Sequence, residues 1–393
     1  MNPLRESTVN LSKIDQELWS TLTISSISRK GTGTMKKLMI VTHKMSGGGC
    51  ERVIAQLLNC FARDGIECKL VTECGVPSFY DLPESVEQVY LTFDQTLPAR
   101  KIPKAYRKLR KLVKQERPDV VLALPEKVNV WTVLYLLGTG VPVVVSERND
   151  PHRHPESKIK RVLRRLVYPF AKGFIFQTKD AAKYFPYAIR RRGIVLDNPL
   201  DTSRIPARFE GERKPTVVAA GRLHTQKNFD LLVRAFARFY KTHHTYSLVI
   251  YGEGPEKERL QKTASSLGIA AAVELAGQSK TLLEDINDSG MFVLSSDYEG
   301  MPNVLIEAMA CGLSCIATDC PIGGVRSLLT SGENGLLIPV GDEDALYEAM
   351  CKLADDESYA LWLGQRAAGI RNRLDETLVA QKWRQYLETI AGG

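Results

Sequence analysis

Two carboxylates, Glu299 and Glu307, sit within the stretch MFVLSSDYEGMPNVLIEAMACGLSCIAT, residues 291–318. Met291-Phe292-Val293-Leu294 is a short apolar run of the kind a buried parallel strand shows. Residues 295–300 read as a polar turn. Pro302 fits the first position of a helix, where its missing N–H costs nothing. That helix runs through Val304, Leu305, Ala308 and Met309 and stops at Gly312, and residues 314–317 read as the next buried strand. A helix N-terminus therefore opens at the carboxyl end of a parallel strand, where open α/β sheets hold their ligands. Free N–H groups near Asn303, Val304 and Leu305, with the positive end of the helix dipole, suit a phosphate. Glu299 lies in the turn before the helix and Glu307 over a turn inside it. One carboxylate can then face a group in front of the anion and the other a hydroxyl-rich group beside it. Sugar, diphosphate and ribose, joined as a nucleotide sugar, fit that order.

The segment EGMPNVLIEAMACG resembles the Glu-x7-Glu signature of retaining glycosyltransferases of the GT-B fold, the large family-four, group 1 set. The resemblance implies that Glu299 faces the donor sugar and Glu307 the ribose hydroxyls, with Gly300, Met301, Asn303 and Val304 lining the donor site. Gly221-Arg222-Leu223-His224-Thr225-Gln226-Lys227-Asn228 follows an apolar strand and precedes a helix, and is similar to the family's second signature. By that likeness Arg222 and Lys227 grip the donor diphosphate. Two fixed cations offset the charge that develops as the sugar–phosphate bond breaks, without a metal. GGGCERVIAQLLNCFARDG resembles the Gly-Gly-x-Glu-Arg opening of many members, so Gly47, Gly48 and Gly49 are expected at the donor cleft; a plain tight turn explains the glycines equally well. Nearby His43 is more simply a hydrogen-bonded structural histidine. Gly252 ends another strand, and Ala276-Gly277-Gln278 follows the next; relatives stack the base there, which adds Gly252 and Gly277 to the donor set.

The acceptor side is read from charge and likeness together. Residues 100–117 hold nine Lys or Arg against one Glu, with Tyr106, Leu109 and Val113 as a thin apolar stripe. Residues 157–170 place Ile159, Val162, Leu163, Leu166, Val167 and Phe170 on one helical face amid Lys158, Lys160, Arg161, Arg164 and Arg165. Each segment is either a solvated basic helix packed by its apolar face or an anionic-lipid surface. No RNA-binding motif accompanies the charge, so nucleic acid is not expected. Relatives that extend polyprenyl-diphosphate-linked glycans use a basic helix to hold the lipid diphosphate, and by that likeness Arg107, Lys111 and Lys114 are acceptor-binding candidates, beside Arg110. Ser146-Glu147-Arg148-Asn149 is similar to acceptor-side loops of such enzymes, which makes Glu147, Arg148 and Asn149 candidates too, although Glu147 and Arg148 could simply pair with each other.

With 393 residues, 44% hydrophobic and 25% charged, the chain is globular and long enough for two domains. Its net charge of +8 points to acidic ligands or anionic surfaces. The alternation of strands and helices predicts an α/β protein, and the resemblance makes it GT-B: two Rossmann-like, doubly wound domains facing across a cleft. The expected divisions are a weakly ordered extension (1–34), an acceptor-binding domain (35–200), a linker (201–214), a nucleotide-sugar domain (215–376) and a last helix (377–393) crossing back to the first domain. The uncharged run 128–145 is divided by Gly138, Gly140 and Pro142, and reads as a helix and a strand rather than a membrane span. The eight cysteines lack zinc-finger spacing and read as reduced thiols of a cytoplasmic protein at the membrane's inner face. Asp342-Glu343-Asp344 opens a helix, where acids complement the dipole, so no metal is expected. The expected reaction is transfer of a hexose or N-acetylhexosamine from a UDP-sugar to a lipid-linked glycan; a UDP-sugar 2-epimerase or a non-catalytic nucleotide-sugar binder shares the architecture.

Overall fold

Short apolar runs alternating with amphipathic stretches build two parallel sheets in the computed structural model, which describes residues 34–392. The first sheet holds β1 (Lys37–Thr42), β2 (Glu67–Thr72), β3 (Glu87–Tyr90), β4 (Val120–Ala123), β5 (Val143–Ser146), β6 (Gly173–Phe176) and β7 (Gly193–Val195). Their spatial order is β3-β2-β1-β4-β5-β6-β7. The second holds β8 (Lys214–Ala220), β9 (Ser247–Tyr251), β10 (Val273–Gly277), β11 (Ser289–Leu294), β12 (Ser314–Thr318) and β13 (Leu336–Ile338), ordered β10-β9-β8-β11-β12-β13. Strands β4, β5 and β6 are buried along their whole length, as happens when helices cover both faces of a parallel sheet.

The helices that matter for the site are α1 (Gly49–Arg63), α2 (Ile102–Glu116), α3 (Glu126–Leu136), α4 (Lys158–Val167), α5 (Phe229–Tyr240), α6 (Asn303–Ala310) and α7 (Glu376–Ala391). Helix α1 buries Val53, Ile54, Leu57, Leu58 and Phe61, one face at helical spacing. Helix α2 buries Ala105, Tyr106, Leu109 and Val113 and leaves its basic side in water. The uncharged run 128–145 is divided between α3 and β5, and among the described residues no helix is long and apolar enough to cross a membrane. Pro302 is the N-cap of α6 rather than its first residue, because its ψ of 108° is extended and the helical turn begins at Asn303. Asp342 caps its helix through the Ala345 N–H at 2.9 Å, while Glu343 and Asp344 pair with Arg234 and Arg238.

In each sheet the strand order reverses beside the first strand, at β1/β4 and at β8/β11, and a crevice opens there beyond the carboxyl ends. The loops after β1, β8 and β11 carry the glycine run, the Arg222–Lys227 pair and Glu299. The chain passes between the domains at two adjacent places, since the Leu200 N–H donates to the Leu374 carbonyl at 2.8 Å. After this second crossing α7 packs on the first domain, where Val379, Trp383 and Leu387 share a core with Ile54 and Leu58. The Trp383 indole N–H donates to the Asp197 carbonyl at 3.1 Å.

Candidate active site

The loop after β8 turns at Gly221 and returns through a short 3-10 turn, residues 225–227, so that Lys227 points across the mouth of the sheet. There the Lys227 Nζ lies 2.6 Å from Glu299 Oε1, which also accepts from the Ser296 hydroxyl at 2.8 Å. Glu299 is 8% exposed, so this ion pair is largely shielded from water. The Arg222 side chain is exposed in the same loop and makes no hydrogen bond or ion pair among the described residues; its charge is felt by His154 on the opposite wall. Glu307 sits inside α6, 5% exposed, with one carboxylate oxygen paired to Arg52 of α1. Its other oxygen, Oε2, is buried and has no hydrogen-bond partner among the described residues. A buried carboxylate oxygen left unpaired costs free energy until a donor reaches it.

Between these two carboxylates the residues form the seam between domains. Asn303 donates to the Gly49 carbonyl at 2.8 Å and accepts from Asn198 at 2.6 Å. Asn198 also donates to the Met301 carbonyl at 3.1 Å, and the Met301 N–H donates to Gln177 Oε1 at 3.2 Å. The Asn303 side chain and the Met301 backbone thus join the two domains across the seam. Val304 packs against the apolar interior of the second domain. Gly300 is a packing requirement: a Cβ there would lie 2.1 Å from Gln177 Oε1 and 2.5 Å from the Arg148 carbonyl. Gly324 is tighter still, its Cβ position falling 1.3 Å from the Gly300 carbonyl oxygen. Gly324→Ala is therefore expected to displace the Glu299–Gly300 turn and to cost about 1–3 kcal/mol, read as a lower denaturant midpoint; an unchanged midpoint would mean that the contact yields freely.

The glycine loops are explained in part by such contacts. Gly47 takes φ +100° over the Phe79 ring, the Gly48 N–H donates to Glu51 Oε2 at 2.9 Å, and Gly49 meets Asn303. The Gly48 N–H is thus already occupied. Gly252 abuts the Gly221 carbonyl and donates to the Gly277 carbonyl at 2.7 Å, so both belong to a close backbone stack at the ends of β8, β9 and β10. Ala276 and Gln278 stand exposed beside it. His43 binds Glu73, Nδ1 to Oε2 at 2.6 Å, and Tyr106 donates to the other Glu73 oxygen at 2.6 Å, the structural role its position suggested.

On the acceptor wall the structure corrects the reading of Glu147. Glu147 is turned inward: it pairs with Arg164 Nη1 at 2.9 Å and accepts from the Tyr168 hydroxyl, both partners being fully buried. Arg148 does not pair with Glu147; it donates to Asn198 and stacks on Trp383, 5.7 Å from the ring centre. Glu147 is thus engaged inside the fold, whereas Nε and Nη1 of the buried Arg148 have no hydrogen-bond partner among the described residues. Asn149 accepts from the Asp150 N–H at 2.8 Å, a local turn bond. Arg107, Lys111 and Lys114 stand exposed on the outer side of α2 and make no contact with the Glu299–Glu307 seam among the described residues. Tyr298, next to Glu299 in the chain, is faced by His154, whose ring lies 5.6 Å from that of Tyr298, and Glu126 lies 3.8 Å behind His154. Burial lowers the His154 pKa and raises that of Glu126, so a neutral imidazole stands against a carboxyl that holds its proton more strongly than usual.

Known families divide the chain in the same place as the sheets do. The model of Glycosyltransferase Family 4 matches residues 47–204, and that of Glycosyl transferases group 1 matches residues 202–369. The chain belongs to these GT-B glycosyltransferases. Among curated relatives, it is 25% identical over 364 residues, 91% of this chain and 99% of the other, to a Campylobacter jejuni GalNAc-alpha-(1->4)-GalNAc-alpha-(1->3)-diNAcBac-PP-undecaprenol alpha-1,4-N-acetyl-D-galactosaminyltransferase. A second C. jejuni enzyme, an N-acetylgalactosamine-N,N'-diacetylbacillosaminyl-diphospho-undecaprenol 4-alpha-N-acetylgalactosaminyltransferase, is 26% identical over 370 residues, 90% of this chain and 100% of the relative. Among solved structures, HepE of Anabaena in complex with UDP and glucose superposes with a TM-score of 0.74 at 18% identity, over 89% of this chain and 98% of that one. Sucrose-phosphate synthase of Thermosynechococcus elongatus gives 0.78 at 17% identity, over 88% and 97%.

In this GT-B glycosyltransferase several side chains at the cleft carried no readable signal in sequence. Arg52 lies inside the Gly-Gly-x-Glu-Arg likeness, but nothing in its spacing says that it reaches Glu307 in the other domain. Glu126 and His154 belong to no motif. Asn198 follows β7 as an ordinary turn residue and proves to hold the seam from both sides.

Proposed function

We propose that this glycosyltransferase moves a hexose or N-acetylhexosamine from a UDP-sugar to a glycan carried on a polyprenyl diphosphate, with retention at the anomeric carbon and without a metal. The observation that carries the reading is the pairing of opposites at the cleft: an unpartnered, buried Glu307 Oε2 near one end and the Lys227–Glu299 pair with exposed Arg222 at the other. A vicinal diol supplies the O–H donors that Glu307 lacks, as a ribose does. A diphosphate supplies the anion that Arg222 lacks, and sugar hydroxyls donate to Glu299. The acceptor class is supported by the two C. jejuni relatives, which span at least 90% of this chain and are named for diphospho-undecaprenol or PP-undecaprenol substrates. The UDP donor is supported by the HepE complex, alike in fold.

In the reaction the acceptor hydroxyl oxygen forms a bond to the anomeric carbon as the bond from that carbon to the phosphate oxygen breaks. The acceptor proton passes to the departing phosphate on the same face. Arg222 and Lys227 neutralise the diphosphate as it leaves, and Glu299, held by Ser296 and Lys227, keeps the sugar oriented. No protein nucleophile enters this scheme. His154 and Glu126, facing Tyr298, form the wall against which the acceptor hydroxyl is delivered.

Glu307→Ala is expected to raise the Kd of UDP and of free uridine alike by about 10–100-fold, the loss of hydrogen bonds to a charged group, measured by calorimetric titration. Equal affinity in the variant would remove Glu307 from the ribose site. The donor class itself is tested by incubating the protein with UDP-, GDP- and ADP-sugars and following thermal stabilisation and sugar release. Stabilisation by UDP-sugars is the expected result, and a response confined to GDP- or ADP-sugars contradicts it. Donor alone should yield no epimerised sugar.

A further inference from the structure

Helix α4 is amphipathic, yet only part of its apolar surface is packed inward. Ile159, Val162 and Leu166, with Phe170 just beyond the helix end, recur at spacings of three and four residues and form one stripe, and they are 81%, 54%, 66% and 61% exposed. The inward side carries half-buried Leu163 and buried Val167 on the apolar cluster of the first domain, together with a charge. Arg164 is fully buried and donates to Glu147 and to the carbonyls of Pro151 and His154 at 2.7–2.9 Å. The buried ion pair, with Leu163 and Val167, thus fixes the rotation of α4 and leaves four large apolar side chains outward. Exposed Lys158, Lys160, Arg165 and Lys172 flank them.

We infer that this stripe is a docking surface for an anionic lipid bilayer, with Ile159, Val162, Leu166 and Phe170 inserted among the acyl chains and the flanking cations at the headgroups. An apolar stripe bordered by Lys and Arg is the composition of an interfacial helix lying in the membrane plane. A second copy of the chain fits poorly, because a two-fold pairing would set these like charges against one another. Nucleic acid would gain nothing from aliphatic side chains aimed at it. Position supports the same occupant. Helix α4 starts directly after the loop bearing His154, beside Tyr298 and Glu299, so docking by α4 brings the cleft mouth to the bilayer. Helices α2, α3 and α4 share one apolar cluster on the same face of the first sheet, so the exposed Arg107, Lys111 and Lys114 of α2 lie in the docking layer. This deepens the function proposed above by placing its lipid-linked acceptor; binding to vesicles needs neither donor nor acceptor, so the two can fail separately.

The test is co-sedimentation of the 393-residue chain with vesicles of phosphatidylcholine alone or with one third phosphatidylglycerol. The expected result is binding only to the anionic vesicles, lowered at least tenfold in the Ile159→Ser/Val162→Ser/Leu166→Ser variant and likewise in the Lys158→Gln/Lys160→Gln/Arg165→Gln variant. These positions are exposed, so both variants should keep the parent unfolding midpoint and its transfer to a water-soluble acceptor analogue. Leu166→Trp should show blue-shifted emission on anionic vesicles. Undiminished binding by the serine variant, no binding by the parent, or an unshifted Trp emission overturns the inference; so does binding of single-stranded RNA by the parent in place of vesicles.

Discussion

Replacing both Arg222 and Lys227 by alanine is expected to lower kcat by about a thousandfold or more, while the fold survives. Charge that develops on a departing diphosphate is stabilised by fixed cations, and removal of one such group commonly costs about 10²–10³ in rate. The structure adds a reason why the two residues are unequal. Lys227 is held by Glu299 at 2.6 Å, so its loss also frees a mostly buried carboxylate in front of the sugar. Lys227→Ala should therefore impair turnover more than Arg222→Ala, whose side chain is exposed and unpaired among the described residues. Single-turnover rates with saturating donor would separate these effects from binding. Parent-like rates in the double variant would remove both residues from the chemistry.

The second large effect concerns stability. Arg164→Ala is expected to destabilise the first domain by about 3–5 kcal/mol, because it leaves Glu147 buried without its cation. Two backbone carbonyls, of Pro151 and His154, lose their donor at the same time. Burial already raises the pKa of Glu147, with Arg164 opposing that shift, so the stranded carboxyl would take up a proton more readily. Glu147→Gln combined with Arg164→Met should recover part of the loss, since no charge is then left unpaired. Urea unfolding followed at the tyrosines and tryptophans measures both. A single Arg164→Ala variant as stable as the parent would show that water reaches this cluster.

How much of this was legible beforehand depended on how local the cause was. The strand and helix containing Glu299 and Glu307 announce themselves through an apolar run, a proline at the entrance and a glycine at the exit, all contiguous. The glycines of the Arg222 loop and the linker at Leu200 are of the same kind. The inward turn of Glu147 was not legible, because its partners Arg164 and Tyr168 come 17 and 21 residues later and Arg164 looks like any other basic residue of α4. Helical spacing likewise groups the apolar residues of 157–170 but does not say that Leu163 and Val167, beside the buried Arg164, meet the protein while Ile159, Val162, Leu166 and Phe170 meet the solvent. Gly300 fits the family likeness as a donor-site residue, yet the contact that excludes a side chain there comes from Gln177 and the Arg148 carbonyl in the other domain. Contacts across the seam depend on how two domains close, which no local pattern encodes.

The central claim is that one cleft holds a nucleoside diphosphate by its charge at Arg222 and Lys227 and by its ribose at Glu307. Calorimetric titration of UDP and of uridine into the parent protein and the Arg222→Ala/Lys227→Ala variant tests it directly. UDP affinity should fall at least a hundredfold in the variant while uridine affinity stays unchanged, about 2.7 kcal/mol carried by the diphosphate alone. Equal UDP affinity in the two proteins, or an equal fall for uridine, would contradict it.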